Sequence, residues 1–236
     1  MRIRHLVTCE HGGNRVPPRW RALFADDAEL LASHRGHDPG ALDYARDLAR
    51  RLRAPLVAST TTRLLVDLNR APRHRRLFSE RTRPLPDAER ALILERHYAP
   101  HHAAVRAVVA RAVRAGAPFV HVAAHSFTPV WDGVPRTVDV GFLYDPRRPA
   151  ERRVVDAWIA ALRSARPDLR VRRNAPYRGV SDGLPTRLRR EVGDAPYAGV
   201  EVEVSQALTT GDARTWRALR RVLVDVLARP VPGAFS

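Results

Sequence analysis

The sequence predicts an α/β protein: a mostly parallel, mixed sheet flanked by helices. Three observations predict it. Short apolar runs alternate with amphipathic stretches along the chain, as parallel strands joined by crossover helices require. The length, 236 residues with 44% hydrophobic content, suits one domain with a sizeable core over residues 1–236. No repeat, low-complexity linker or shift in composition divides it.

The elements follow in order. Residues 3–11, IRHLVTCEH, form a β-type run that ends in a polar cluster and then meets Gly-Gly-Asn and Pro-Pro, a strand entering a loop. Residues 26–34 form a short helix. Residues 38–54 form a stronger one, with Pro39 near its first turn and an apolar stripe of Leu42, Ala45, Leu48, Ala49 and Leu52. PLVAS (55–59) and RLLVDL (63–68) read as strands separated by Thr-Thr-Thr. Residues 69–86 are polar and proline-bearing, a long surface loop of the kind that more often serves function than connection. Residues 86–116 are helical, bent or divided at Pro100 and stopped at Gly116. Strands follow at 118–126 and 138–145, a helix at 150–167, strands at 169–177 and 199–208, and a last helix at 212–229.

Composition excludes some functions. The formal charge is +16, yet there is no lysine, so all 41 basic residues are arginine. They are scattered over solvent faces of helices, as in RDLARRLR, which fits the codon usage of a GC-rich genome better than a phosphate-binding surface. No specific nucleic-acid partner is expected. One cysteine, Cys9, excludes an internal disulfide and a cysteine-based zinc site. No segment approaches the ~20 apolar residues of a membrane span. The N-terminus carries no cleavage signal, so no membrane and a cytoplasmic location are expected.

The chemistry-bearing residues share one placement. His11, Asn69, Arg70, His125, Asn174 and Glu203 all fall at or near C-terminal ends of predicted strands, the edge where open α/β sheets bind ligands. Two histidines with a carboxylate or amide oxygen are a usual zinc-ligand set, and a further glutamate beside them can take a proton from water. Each residue also has a plain alternative. A strand-end histidine is often core. Glu203, in EVEV, shares its face with Glu201, which reads as a solvated carboxylate. Asp67 can simply pair with Arg70 across a turn.

The stretches CEHGGNRVP, HDPGA, TRLLVDLNRAP, HSFTPV, DVGFLYD, NAPYRG and VEVSQAL, in that order, resemble the N-formylglutamate amidohydrolase family over roughly residues 5 to 210. The resemblance implies a zinc-carboxypeptidase-like, phosphorylase/hydrolase-like three-layer architecture. It also implies a zinc-dependent amidohydrolase that cleaves the amide of an N-acyl amino acid such as N-formylglutamate, with the small molecule as its partner. It aligns His11 and His125 with metal ligands. Asn14 occupies the place of the relatives' second ligand, a glutamate. Asp38 is the preferred replacement, with Asn14, Glu10 and His37 as alternatives. By the same resemblance Glu203 is the general base, Arg63 polarises the scissile carbonyl, Asn69 and Arg70 hold the substrate carboxylate, and Tyr177 and Asn174 line the pocket. Ser205 stands where better-known members carry a basic residue, which leaves the acid recognised open, glutamate or another. Two further readings remain open: a hydrolase of peptides, and a binding module that has lost its second ligand.

Overall fold

The computed structural model describes residues 3–236. In chain order the elements are β1 (Arg4–Cys9), α1 (Ala28–Ala32), α2 (Ala41–Leu52), β2 (Leu56–Ala58), α3 (Asp87–Ile93), α4 (Ala99–Arg114), β3 (Phe119–Phe127), β4 (Val130–Trp131), β5 (Val134–Pro135), β6 (Val140–Leu143), α5 (Pro149–Ala165), β7 (Val171–Arg173), α6 (Leu184–Val192), β8 (Tyr197–Ser205), α7 (Gln206–Thr209) and α8 (Ala213–Leu227). Six strands form one sheet in the order β2-β1-β3-β8-β6-β7. All neighbours are parallel except β6 and β8, so the sheet is mixed. Strands β4 and β5 make a separate hairpin.

Alternation along the three central strands gives the sheet two different faces. One face carries Val7, Val120, Val122, Val200, Val202 and Val204, packed on α2, α5 and α8 through Tyr44, Leu48, Trp158, Ile159, Leu219 and Leu223. The other begins apolar, with Leu6, Phe119 and Tyr197 against Val105 and Val109 of α4 and Leu184 and Leu188 of α6. Farther along the strands that face turns polar, through Thr8, His121, Glu201, His125 and Glu203. The result is three layers, helix–sheet–helix.

Two expectations need correction, and a third, the division of the 86–116 helix near Pro100, is met with a particular geometry. Residues 63–68 are not a strand. Leu64, Leu65, Val66 and Leu68 are consecutive in burial because they plug a second core with Trp20, Phe24, Leu77 and Ile93; the run is apolar for packing, not for pairing. The helix 86–116 is divided by a π-helical turn over Leu94–Tyr98. Pro100 has no N–H for the carbonyl four residues back and its ring crowds that carbonyl, so the turn before it widens. Pro39 precedes α2 instead of opening it, because Gly40 takes a left-handed φ of 78° ahead of Ala41.

A buried ion pair bolts the layers together. Arg189 of α6 donates from Nε to Glu151 of α5 (2.8 Å), and from its terminal nitrogens to the carbonyls of Gly179 (2.6 Å) and Gly199 (2.8 Å). Arg189→Met would leave the buried Glu151 carboxylate with only Arg148, whose Nε lies 3.5 Å from it. The expected loss is about 3–5 kcal/mol in chemical denaturation, with Arg189→Lys losing less.

His121 is fully buried, its ring held between the Tyr197 hydroxyl (2.8 Å) and Thr8 Oγ1 (2.9 Å). Burial pushes its pKa down to about 4 from 6.5, so the fold holds it neutral. The unfolded chain takes up the proton first as pH falls. Stability from this group is therefore complete above pH 6.5 and drains away toward pH 4, by about 3 kcal/mol in all. His121→Gln should be less stable at pH 7 and show a flatter decline over that window in thermal melts.

Candidate active site

The polar face of the sheet opens into a cavity of about 620 Å³ lined by His11, Asp38, Arg63, Asp67, Asn69, Arg70, His125, Tyr177, Glu201 and Glu203 among others. Strand register explains much of this grouping. His125 on β3 pairs with Glu203 on β8, and paired residues of adjacent strands project to the same side. Glu10 and His11 follow directly on β1. Gly12 and Gly13 then let the chain pass close to the segment after β2: a Cβ at either would lie 2.9 Å from the Ser59 carbonyl or 2.8 Å from that of Thr60.

Asp38 is delivered by the loop before α2. Its backbone N–H donates to the His11 carbonyl (2.9 Å). The next carbonyl, Pro39, accepts from Ser126 Oγ (2.8 Å) and Thr209 Oγ1 (2.7 Å), so residues at the ends of β3 and α7 fix the loop. Gly40 leaves room for Thr209, whose Cβ would stand 2.6 Å from an added side chain.

His11, Asp38 and His125, all buried, bring one ligand atom each to within 4.8 Å of one another. Asp38 Oδ2 lies 3.3 Å from His11 Nδ1 and 2.8 Å from His125 Nδ1. The outer nitrogens face other carboxylates: His11 Nε2 donates to Asp67 Oδ1 (2.7 Å), and His125 Nε2 is 3.1 Å from Glu10 Oε2. An anionic neighbour keeps the proton on Nε2 and leaves Nδ1 as a lone pair turned toward Asp38. Two lone pairs facing a carboxylate oxygen need a cation between them. Without one, against burial, Asp38 and Glu10 raise His125 well above its ordinary pKa, and Asp67 and Asp38 outweigh burial and Arg63 to raise His11. Burial opposes it, yet the two imidazoles hold Asp38 below the usual carboxylate range. Two imidazoles and one carboxylate, each backed by a further polar group, fit a divalent transition metal.

The charges around this cluster are balanced but not spent. Arg63 donates to Asp67 Oδ2 (2.7 Å) and Asp38 Oδ1 (3.4 Å), and also lines the cavity. Arg70 donates to the Asp182 carbonyl (2.9 Å), with its Nε buried, without a hydrogen bond and 3.8 Å from Asp67 Oδ2. Glu203 is buried, and its Oε2 has no hydrogen-bond partner. Burial, with Asp38 and Glu201 nearby, pushes its pKa up to about 8 despite the pull of His125.

Of the residues expected from sequence, His11, Asp38, Arg63, Asn69, Arg70, His125, Tyr177 and Glu203 all line the one cavity. Others do not. Asn14 is exposed on the loop after β1, outside the cavity lining. His37 turns its Nδ1 to the Leu31 carbonyl (3.2 Å). Glu10 stands behind His125 instead of beside Asp38. Asn174 is absent from the cavity wall; its Oδ1 accepts from the backbones of Tyr144 and Gly179 (both 3.0 Å) and so clasps the loop that presents Tyr177. Asn69 has both ends of its amide engaged, by the Leu184 N–H (2.6 Å) and Glu201 Oε2 (3.3 Å). Glu201 is a buried member of the wall, not a solvated carboxylate. Asp67 serves Arg63 and His11 at close range, with Arg70 Nε at 3.8 Å. The Glu-x-Glu alternation of β8 and the Asp of TRLLVDLNR were the available signals for these two.

No helix among the described residues is long and apolar enough to cross a membrane. Residues 3–210 match the N-formylglutamate amidohydrolase family. Comparison with curated proteins gives no match. Among solved structures, the fold is similar to a gene product of Agrobacterium tumefaciens, with 30% identity, a TM-score of 0.77, and 95% of this chain and 90% of that one covered. It is also similar to an N-formylglutamate amidohydrolase from Ralstonia eutropha JMP134, with 20% identity, a TM-score of 0.70, and coverage of 95% and 91%. With the match spanning all but the chain's C-terminal helix and tail, the protein belongs to the N-formylglutamate amidohydrolase family and is a hydrolase of amide C–N bonds.

Proposed function

We propose that the protein, acting as one domain, is a zinc-dependent amidohydrolase that removes the acyl group from an N-acyl amino acid such as N-formylglutamate. The observation that carries the reading is Glu203: a buried carboxylate with one oxygen unpartnered, in the same cavity as the His–Asp–His cluster. His11, Asp38 and His125 are the ligands. Bound there, the ion supplies Lewis acidity, which brings a water near neutrality in pKa and polarises an acyl oxygen.

The chain's own groups do the rest. Glu203 takes the proton of the attacking water and returns it to the departing nitrogen. Burial raises its pKa to about 8 without a metal, and beside a divalent cation held by the cluster it falls back toward the operating pH, where Glu203 can both take and return a proton. Arg63, anchored by Asp67, faces the developing charge on the acyl oxygen without needing to move. Arg70 grips the substrate carboxylate, and fixing the substrate this way lowers the barrier further. Tyr177 closes the wall. Asn69 contributes by holding Glu201 and the start of α6 in place.

Glu203→Gln should lower turnover by roughly 10²–10⁴-fold while metal content by elemental analysis stays at the wild-type level. His125→Ala should lose the metal. Near-normal turnover of Glu203→Gln on a substrate the wild type cleaves would falsify the assignment of Glu203.

Because neighbouring carboxylates raise the pKa of both imidazoles, loading at pH 7 should release protons. Calorimetry in buffers of different ionisation enthalpy measures this, and affinity should weaken as pH falls. Asp67→Asn should weaken zinc binding by roughly 10–100-fold through His11.

A further inference from the structure

The cavity is larger than a formyl amino acid requires. At about 620 Å³ it falls within the range that holds drug-sized ligands. Its mouth is built from aromatic side chains. Trp131 stands on the β4–β5 hairpin, 46% exposed, beside the exposed Val130 and Val134. The hairpin turns in two residues, Asp132 and Gly133, with φ of 49° and 77°, a tight geometry that gives Trp131 little freedom.

Arg136 locks this wall. Its guanidinium carbon lies 5.2 Å from the Trp131 ring centre, 4.9 Å from Tyr177 and 5.6 Å from Phe127. Nη1 donates to the Tyr177 hydroxyl (2.9 Å) and the Thr128 carbonyl (3.3 Å). A guanidinium held among three rings fixes their planes before any ligand arrives. His34 meets Trp131 edge-on at 6.2 Å. Trp131, Phe127, Tyr177 and His34 all line the cavity.

The wall and the carboxylate-binding arginine reach the ligand cluster by different routes. Arg70 approaches through Asp67, which holds His11. Trp131 approaches through His34 and the segment that carries Asp38. Trp131 and Tyr177 line the same cavity as Arg70 and the cluster, so a substrate with its carboxylate at Arg70 and its amide at the cluster has this aromatic wall available to its acyl group.

Resting on the amidohydrolase reading, we propose that Trp131, Arg136 and Tyr177 form an acyl subsite that selects N-aroyl amino acids over N-formyl ones. Water adds across the amide, the C–N bond breaks, the nitrogen takes the proton, and an aromatic carboxylate leaves together with the free amino acid.

The test compares N-benzoyl-L-glutamate with N-formyl-L-glutamate, which differ only in the acyl group. In the zinc-loaded wild type, kcat/KM should favour the benzoyl compound at least tenfold, and the ratio should fall toward one in both Trp131→Ala and Arg136→Leu. Binding is read separately in Glu203→Gln by tryptophan fluorescence, because Trp20, Trp158 and Trp216 are buried and Trp131 is not. The benzoyl compound should bind more tightly and quench the signal, and the added Trp131→Leu change should remove both effects. Preference for the formyl compound, or a ratio unchanged in the Trp131 and Arg136 variants, overturns the subsite. If the wild type cleaves neither compound but the fluorescence preference holds, the subsite stands and the proposed reaction fails. If neither cleavage nor preference is seen, the subsite is overturned.

Discussion

The register of β3 against β8 is the constraint on which the rest depends. Nine residues of each strand pair in parallel, and every second residue points the same way. That single alignment sets His125 beside Glu203, His121 within reach of Tyr197, and a run of valines on the opposite face. A slip of one residue would turn the imidazole and carboxylate into the apolar layer and valines into the cavity. The valine face, packed on α2, α5 and α8, makes such a slip costly, so hydrophobic burial on one side fixes polar geometry on the other.

The ligand cluster is built in layers of charge. Asp38 joins two imidazoles, each imidazole leans on another carboxylate, and Arg63 ties two of those carboxylates together. Removing one member leaves its neighbours buried and uncompensated, so the groups are retained as a set. Loops supply much of it: Asp38, Arg63, Asp67 and Arg70 lie outside regular elements. The second core under residues 64–68 gives that loop the stiffness a strand would otherwise have provided.

The fold class was legible in the sequence, and so were eight of the residues that line the cavity, because alternating apolar segments and polar strand ends are local signals. Asp38 was legible as the preferred candidate for a third ligand, and the structure groups it with His11 and His125. What escaped depended on distant partners. The run 63–68 looked like a strand because five buried residues in a row, 64–68, carry no record of whether they pair or plug. Glu201 looked solvated because alternation shows a face but not what covers it, here α6 and the 174–183 loop. Asn174 stood at a strand end, yet its amide closes a backbone loop; sequence places a side chain at an edge without saying which way it turns.

The β3–β8 ladder holds one foreign member. The Tyr44 hydroxyl accepts from the His125 N–H (2.8 Å) and donates to the Val202 carbonyl (2.6 Å), standing between two strands where a direct backbone bond would otherwise run. Tyr44 belongs to α2, and Asp38 lies just ahead of that helix. One rigid segment thus grips the joint between the central strands and carries a ligand into the cluster. The position of α2 along its axis therefore bears on both the joint that carries His125 and the loop that carries Asp38.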